Sequence, residues 1–144
     1  MKYNVLIVDD EPMVLCLLKC MVENISREYS TETVIDTHTE SIKALDSLAT
    51  KEYNMIISDI TMPNIDGVEL IKIIEKEKLA TNALKYLVSG YAIDNLQSEV
   101  KIFQESNIIQ GFIKKPFEIS AIKKIYQNMI ISSLSDAYQK QHNI

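Results

Sequence analysis

The chain has 144 residues, 47% hydrophobic and 24% charged, so it can bury one core and is too short for two full-sized domains. Twenty acidic and fifteen basic residues give a net charge of -5, which argues against long-range attraction to nucleic acid or anionic lipid. Cys16 and Cys20 are the only cysteines, which argues against a disulfide scaffold and indicates a reducing compartment, so we expect a cytoplasmic protein.

Five short apolar runs alternate with stretches of helical period along the chain. The strands are predicted at Asn4–Val8, Thr33–Asp36, Met55–Ser58, Leu84–Val88 and Gly111–Ile113. The helices are predicted to begin near Pro12, Ser41, Gly67 and Asp94, and after Pro116. No linker or repeat divides the chain, and charged residues interrupt the apolar runs, so one folding unit without a membrane span is expected.

Alternating strands and helices predict a parallel, doubly wound α/β sheet with helices on both faces. Ligands of such sheets bind beyond the carboxyl ends of the strands. Asp9 and Asp10 follow the first strand, and Asp59 follows the third. Two such charges about 4 Å apart repel by roughly 4 kcal/mol at an effective dielectric near 20, so a cation or a proton is needed. Oxygen ligands without a nearby histidine or thiolate favour Mg²⁺.

Polar side chains also follow the last two strands. Ser89-Gly90 comes after the fourth strand, and Lys114, Lys115 and Pro116 come after the fifth. Carboxylates with magnesium, one lysine and one hydroxyl suit phosphoryl transfer, because negative charge on the transferred group must be neutralised while the reacting atoms stay in line. Asp59 is the candidate nucleophile, since a carboxylate can form an acyl phosphate.

Four motifs in this order resemble the receiver domain of bacterial two-component response regulators. They are Asp9-Asp10-Glu11, the run from Asp59 through Met62-Pro63 to Asp66-Gly67, Ser89-Gly90, and Lys115-Pro116-Phe117. The resemblance implies a flavodoxin-like fold with strand order 2-1-3-4-5 and five helices. It also implies a receiver domain over residues 1–131. The tail over 132–144 is polar and has no glycine or proline, so we expect it to extend the last helix, to be disordered or to begin a linker.

The resemblance implies that Asp59 accepts a phosphoryl group from a sensor histidine kinase or phosphotransfer protein. Asp10, Asp59 and the backbone carbonyl of Thr61 would ligate Mg²⁺, and Asp9 would act mostly through water. Lys115 would pair with the phosphoryl oxygens, and its bond to the following proline would be cis. The chain would catalyse only its own phosphorylation and dephosphorylation.

The resemblance also implies a conformational switch. Ser89 would hydrogen-bond a phosphoryl oxygen, and Phe112 occupies the aromatic position that moves inward with its loop. The surface of the fourth and fifth strand-helix units would then bind an output domain, a downstream protein or a second copy, and no nucleic acid or membrane directly. Bulky Tyr91 is predicted to slow hydrolysis of the phosphoryl group.

Two other functions stay open. One is a receiver-shaped interaction module that is never phosphorylated, against which the intact candidate residues argue. The other is a phosphatase with an aspartyl nucleophile. Such enzymes generally carry a second acid two residues after the nucleophile, whereas this chain has Thr61, which supplies no titratable proton donor.

The first helix carries more apolar residues than one core face needs. We expect both cysteines to be buried hydrophobic residues without chemistry of their own. The wider band is either extra core or a kinase-docking surface, as the family uses this helix. Core spacing is predicted for Val14, Leu17, Leu18, Met21 and Ile25, and the band is widened by Met13, Cys16 and Cys20.

Overall fold

A computed structural model describes residues 1–90 and 98–142 of the chain. Strands and helices alternate as predicted, although the predicted helix start near Asp94 lies outside the described residues. The elements are β1 (Lys2–Val8), α1 (Pro12–Glu28), β2 (Glu32–His38), α2 (Ser41–Thr50), β3 (Met55–Asp59), α3 (Gly67–Lys76), β4 (Leu84–Ser89), α4 (Ser98–Glu105), β5 (Gly111–Lys114) and α5 (Ile119–His142).

The five strands form one parallel sheet in the order β2-β1-β3-β4-β5, which confirms the predicted flavodoxin-like topology. All five residues of β3 are buried, as expected of a central strand covered on both faces. The register pairs Asp59 with Val88, and Ser89 with Lys114. The motif residues that follow β1, β3, β4 and β5 therefore meet at one edge of the sheet.

Alternate residues of the strands build one hydrophobic cluster on each face of the sheet. On β1, Tyr3, Val5 and Ile7 pack towards α1 and α5, whereas Leu6 and Val8 pack towards α2 and α3. Each fully buried apolar side chain of this size contributes about 1.5–3 kcal/mol relative to exposure. These two clusters hold the carboxyl edge of the sheet in place.

A buried hydroxyl network ties α5 to α1 and β2. The Tyr126 hydroxyl contacts Thr31 Oγ1 and lies 2.8 Å from Thr33 Oγ1. Ser26 Oγ lies 2.8 Å from the same Thr33 oxygen and donates to the Thr31 carbonyl at 2.9 Å. Tyr126 is fully buried, so its hydroxyl depends on these partners.

Removing the Tyr126 hydroxyl in Tyr126→Phe is expected to lower the free energy of unfolding by about 1–3 kcal/mol, because two partly buried threonine hydroxyls lose a partner. Urea denaturation measures the change. Tyr138→Phe is the matched control, since Tyr138 is 56% exposed, and it should leave the free energy unchanged. Equal effects of the two substitutions would contradict the network's contribution.

Lys85 on β4 is a buried cation. Its side chain donates to the Ala83 carbonyl at 3.1 Å and lies 3.7 Å from Glu75 Oε1. Burial lowers the pKa of Lys85 below its usual value, although Glu75 opposes the shift. The folded chain therefore releases this proton at a lower pH than the unfolded chain does.

Stability is expected to rise with pH between the lowered pKa of Lys85 and its unfolded value near 10.4, because the unfolded state binds more protons in that window. Lys85→Met should remove this rise. Urea denaturation from neutral pH upwards measures it, with Lys76→Met as the exposed control. An identical pH slope in the wild type and in Lys85→Met would refute the assignment.

Three predictions about burial in α1 were wrong. Leu17, Cys16 and Cys20 are exposed, whereas Leu15 and Val22 are buried. The apolar run is continuous there, so periodicity alone left the choice between adjacent residues open. The widened band is therefore surface, which eliminates the extra-core alternative.

The helix α5 continues through His142, so residues 132–142 of the predicted tail are helical. A domain boundary at residue 131 stays a prediction. Within residues 1–90 and 98–142, every helix falls short of the length or apolar character that crossing a bilayer would need.

Candidate functional site

Lys115 joins the acidic residues at the carboxyl edge of the sheet. Its Nζ lies 3.2 Å from Asp9 Oδ2 and 3.4 Å from Asp59 Oδ2. Asp9 follows β1, Asp59 ends β3, and Lys115 follows β5, so three strands position one ion-paired cluster. One oxygen from each of Asp9, Asp10 and Asp59 lies within 4.8 Å of the others. The structure thus brings the predicted residues together.

Asp9 is the most deeply buried member of the cluster, with 1% exposure. Its Oδ1 accepts the Glu11 backbone N–H at 2.9 Å, whereas its buried Oδ2 has no well-directed hydrogen bond among the described residues and is ion-paired with the Lys115 ammonium at 3.2 Å. A buried carboxylate oxygen without hydrogen bonds is costly. Three carboxylates outnumber the single ammonium, so the donor set fits a hard divalent cation such as Mg²⁺.

The charges of the cluster shift each other's protonation. Burial raises the pKa of Asp59, and the neighbouring Asp9 charge raises it further, whereas Lys115 and the Thr61 backbone N–H oppose the shift. Burial disfavours the Lys115 ammonium, but Asp59 and Asp9 outweigh it and raise the pKa of Lys115. Lys115 is therefore held as a cation between two carboxylates.

The backbone of the β3–α3 loop closes tightly over the phosphoacceptor candidate. Gly67 N–H donates to the Ile60 carbonyl at 2.8 Å, and the Asp66 side chain caps α3 by accepting Glu69 N–H at 2.8 Å. A Cβ atom on Gly67 would lie 2.2 Å from the Asp59 carbonyl oxygen. Only glycine allows this approach.

Gly67→Ala is expected to lower the free energy of unfolding by about 1–3 kcal/mol, because the new methyl group must displace the backbone at Asp59. Urea denaturation is the measurement. Gly90→Ala provides the matched control, since a Cβ atom there meets no atom of the described residues within 4 Å. A Gly67→Ala protein as stable as the control would show that the loop relaxes freely.

The remaining candidates lie around this cluster. Ser89 is buried at the end of β4, and its carbonyl accepts the Lys115 backbone N–H at 3.0 Å. Phe112 is half-buried and packs against the hydrophobic cluster on the α2 and α3 face of the sheet. Thr61 is exposed in the loop after β3, and Tyr91 lies outside the described residues. The peptide bond from Lys115 to Pro116 is cis, as the resemblance implied.

Two site features could not be read from the sequence. The motif contained Gly67, but its approach to the Asp59 carbonyl depends on how the loop folds back. The ion pair between Lys115 and Asp9 joins residues more than a hundred positions apart. The sequence indicated only that these residues lie at the same edge of the sheet, because all strands of the predicted parallel sheet end there.

Solved structures show the same architecture, which is that of CheY-like receiver folds. A CheY-like receiver domain from Methylobacillus flagellatus has a TM-score of 0.74 at 20% identity, covering 90% of this chain and 99% of that chain. Chemotaxis protein CheY4 of Vibrio cholerae has a TM-score of 0.71 at 20% identity, with the same two coverages.

The family follows from the sequence comparison. The family model of the response regulator receiver domain matches residues 5–127, so the chain belongs to that family. Nitrogen assimilation regulatory protein NtrX of Azorhizobium caulinodans is 29% identical over 132 residues, which cover 90% of this chain. Sensor protein EvgS of Escherichia coli O157:H7 is 32% identical over 71 residues, or 49% of this chain. The match spans 26% of NtrX and 5% of EvgS.

Proposed function

We propose that the chain is a phosphorylation-dependent switch of a two-component system, with Asp59 as the phosphoryl acceptor. The observation that carries this proposal is the buried Asp59 carboxylate, paired with Lys115 at 3.4 Å and grouped with Asp9 and Asp10. The chain belongs to a family whose members include the matched segments of regulators and sensor proteins.

The positions of these side chains support the following reaction. An Asp59 carboxylate oxygen attacks the phosphorus of a phosphohistidine, the P–N bond breaks, and an acyl phosphate forms. The Lys115 ammonium, already beside Asp59 Oδ2, then forms an ion pair with the new phosphoryl oxygens. Ser89 donates its hydroxyl to one of these oxygens. Water later cleaves the acyl phosphate and releases phosphate, so the chain would catalyse only its own phosphorylation and dephosphorylation.

Asp10, Asp59 and the Thr61 carbonyl would hold Mg²⁺, with Asp9 acting through water. Bound there, the ion would neutralise charge on the transferred phosphoryl group. The three grouped carboxylates and the unsatisfied Asp9 Oδ2 support this ligand assignment.

The exposed face of α1 is the proposed contact for a sensor histidine kinase or phosphotransfer protein. Met13 is 84% exposed and Leu17 is 47% exposed, close after the acidic residues that follow β1. Apolar side chains grouped at a surface favour a protein partner. We place the protein in the cytoplasm, where such kinases present their phosphohistidine.

The proposed output surface comprises β4, α4, β5 and α5. Phosphorylation would draw Ser89 and Phe112 inward and favour one packing of these elements. Ile102 on α4 and Ile119 on α5 are 56% and 53% exposed, which supports contact with an output domain, a downstream protein or a second copy.

Acetyl phosphate with and without Mg²⁺ tests the proposal. Mass spectrometry should find one phosphoryl group per chain, only with Mg²⁺, and peptide mapping should place it on Asp59. No adduct would favour the interaction module that is never phosphorylated. Repeated turnover of p-nitrophenyl phosphate would favour the phosphatase.

A further inference from the structure

Three sulfur-containing side chains lie on one exposed face of α1. Met13, Cys16 and Cys20 are all exposed, and α1 holds them on a helix whose opposite face is buried. At 3.6 residues per turn, these positions fall within an arc of about 60°. The three residues therefore share one exposed face of the helix, and the switch proposed above uses none of the chemistry of their sulfur atoms.

The two thiols are spaced to bind one ion together. Residues four apart on a helix have Cβ atoms about 5–6 Å apart. Metal–thiolate bonds near 2.3 Å place two sulfurs at most about 4.6 Å apart, which side chains on such Cβ atoms can reach. Met13 precedes Cys16 by three residues, and its flexible thioether can add a third sulfur.

The donor set selects the metal. Among residues 1–90 and 98–142, the only three His, Cys, Asp or Glu ligand atoms grouped within 4.8 Å are those of Asp9, Asp10 and Asp59. The thiols thus lack the further ligands that zinc takes in tetrahedral sites. Thiolate and thioether ligands favour Cu(I), which is stable with two or three sulfur ligands.

We infer that the Met13, Cys16 and Cys20 face of α1 binds one Cu(I) ion through two thiolates and the thioether. Binding converts two thiols and Cu(I) into a bis-thiolate complex with one negative charge and releases two protons. Lys19, an exposed neighbour three residues after Cys16, offsets that charge. The inference does not depend on phosphorylation of Asp59.

The test is an anaerobic titration of the reduced protein with Cu(I), buffered by bicinchoninate. We expect one ion per chain and protection of both thiols from Ellman's reagent. Cys16→Ser and Cys20→Ser should each lower the affinity at least 100-fold, and Met13→Leu about tenfold. Leu17→Ser, on the same exposed surface without sulfur, should bind like the wild type.

Several outcomes would overturn the site. Two ions per chain, or a Cys20→Ser protein with unchanged affinity, would show that each thiol binds independently. Zn²⁺ bound as tightly as Cu(I) would overturn the choice of metal. Asp59→Asn should bind Cu(I) normally, so failure of the phosphorylation proposal and failure of the copper site are distinguishable.

Discussion

Asp59→Asn is expected to abolish phosphoryl uptake from acetyl phosphate and, without Mg²⁺, to raise the free energy of unfolding. The loss of uptake is complete, because an amide cannot form the acyl phosphate. The gain in stability has an electrostatic cause. Burial and the Asp9 charge raise the pKa of Asp59, so its carboxylate is less favourable in the folded chain than in the unfolded one.

We expect a gain of about 0.5–2 kcal/mol, the usual range when a destabilising functional group is replaced. Mass spectrometry measures the uptake, and urea denaturation in EDTA measures the stability. Asp46→Asn removes an exposed carboxylate and should change neither quantity. An Asp59→Asn protein that still takes up one phosphoryl group would contradict the assignment of the acceptor.

Lys115→Met is expected to lower the free energy of unfolding by about 3 kcal/mol in the absence of Mg²⁺. The ammonium separates Asp9 and Asp59, and its removal leaves two buried carboxylates facing each other without a cation. Removing one partner of a buried ion pair costs roughly 3–5 kcal/mol. We expect the lower end of that range, because 22% of the Lys115 side chain is exposed.

The adjacent residue gives the control, since Lys114 is exposed and Lys114→Met should leave the stability unchanged. Adding Asp59→Asn to Lys115→Met should recover most of the loss, because one of the two repelling charges is then gone. Urea denaturation of the wild type, the two single variants at Lys115 and Asp59 and the double variant measures this coupling. Additive effects of Lys115→Met and Asp59→Asn would show that the two side chains do not interact.

The sequence predicted the order of elements because its strands are continuous apolar runs and its motifs follow them directly. Asp59 and Lys115 could be assigned to the same edge of the sheet from the sequence alone, since parallel strands end on the same side. The ion pair of Lys115 with Asp9 could not be predicted from the sequence, because it depends on side-chain orientations that no local pattern encodes.

The errors were confined to α1 and have one physical cause. Its run from Met13 to Met21 is apolar except for Lys19, so the hydrophobic stripe has no clear boundary in the sequence. Which residues face the sheet was decided by contacts with α5 and the strands. Leu17, Cys16 and Cys20 consequently face outwards although they are as apolar as Leu15.

The length of α5 has a mechanical consequence. Its hydroxyl anchor at Tyr126 fixes the helix to α1 and β2, whereas each of residues 135–142 is exposed. Residues 132–142 add about 16 Å of helix at 1.5 Å per residue. The tip lies about 24 Å beyond the Tyr126 anchor, so a tilt of about 10° at the anchor would displace the tip by about 4 Å. The helix therefore forms a lever arm that magnifies small rotations of α5 about its anchor.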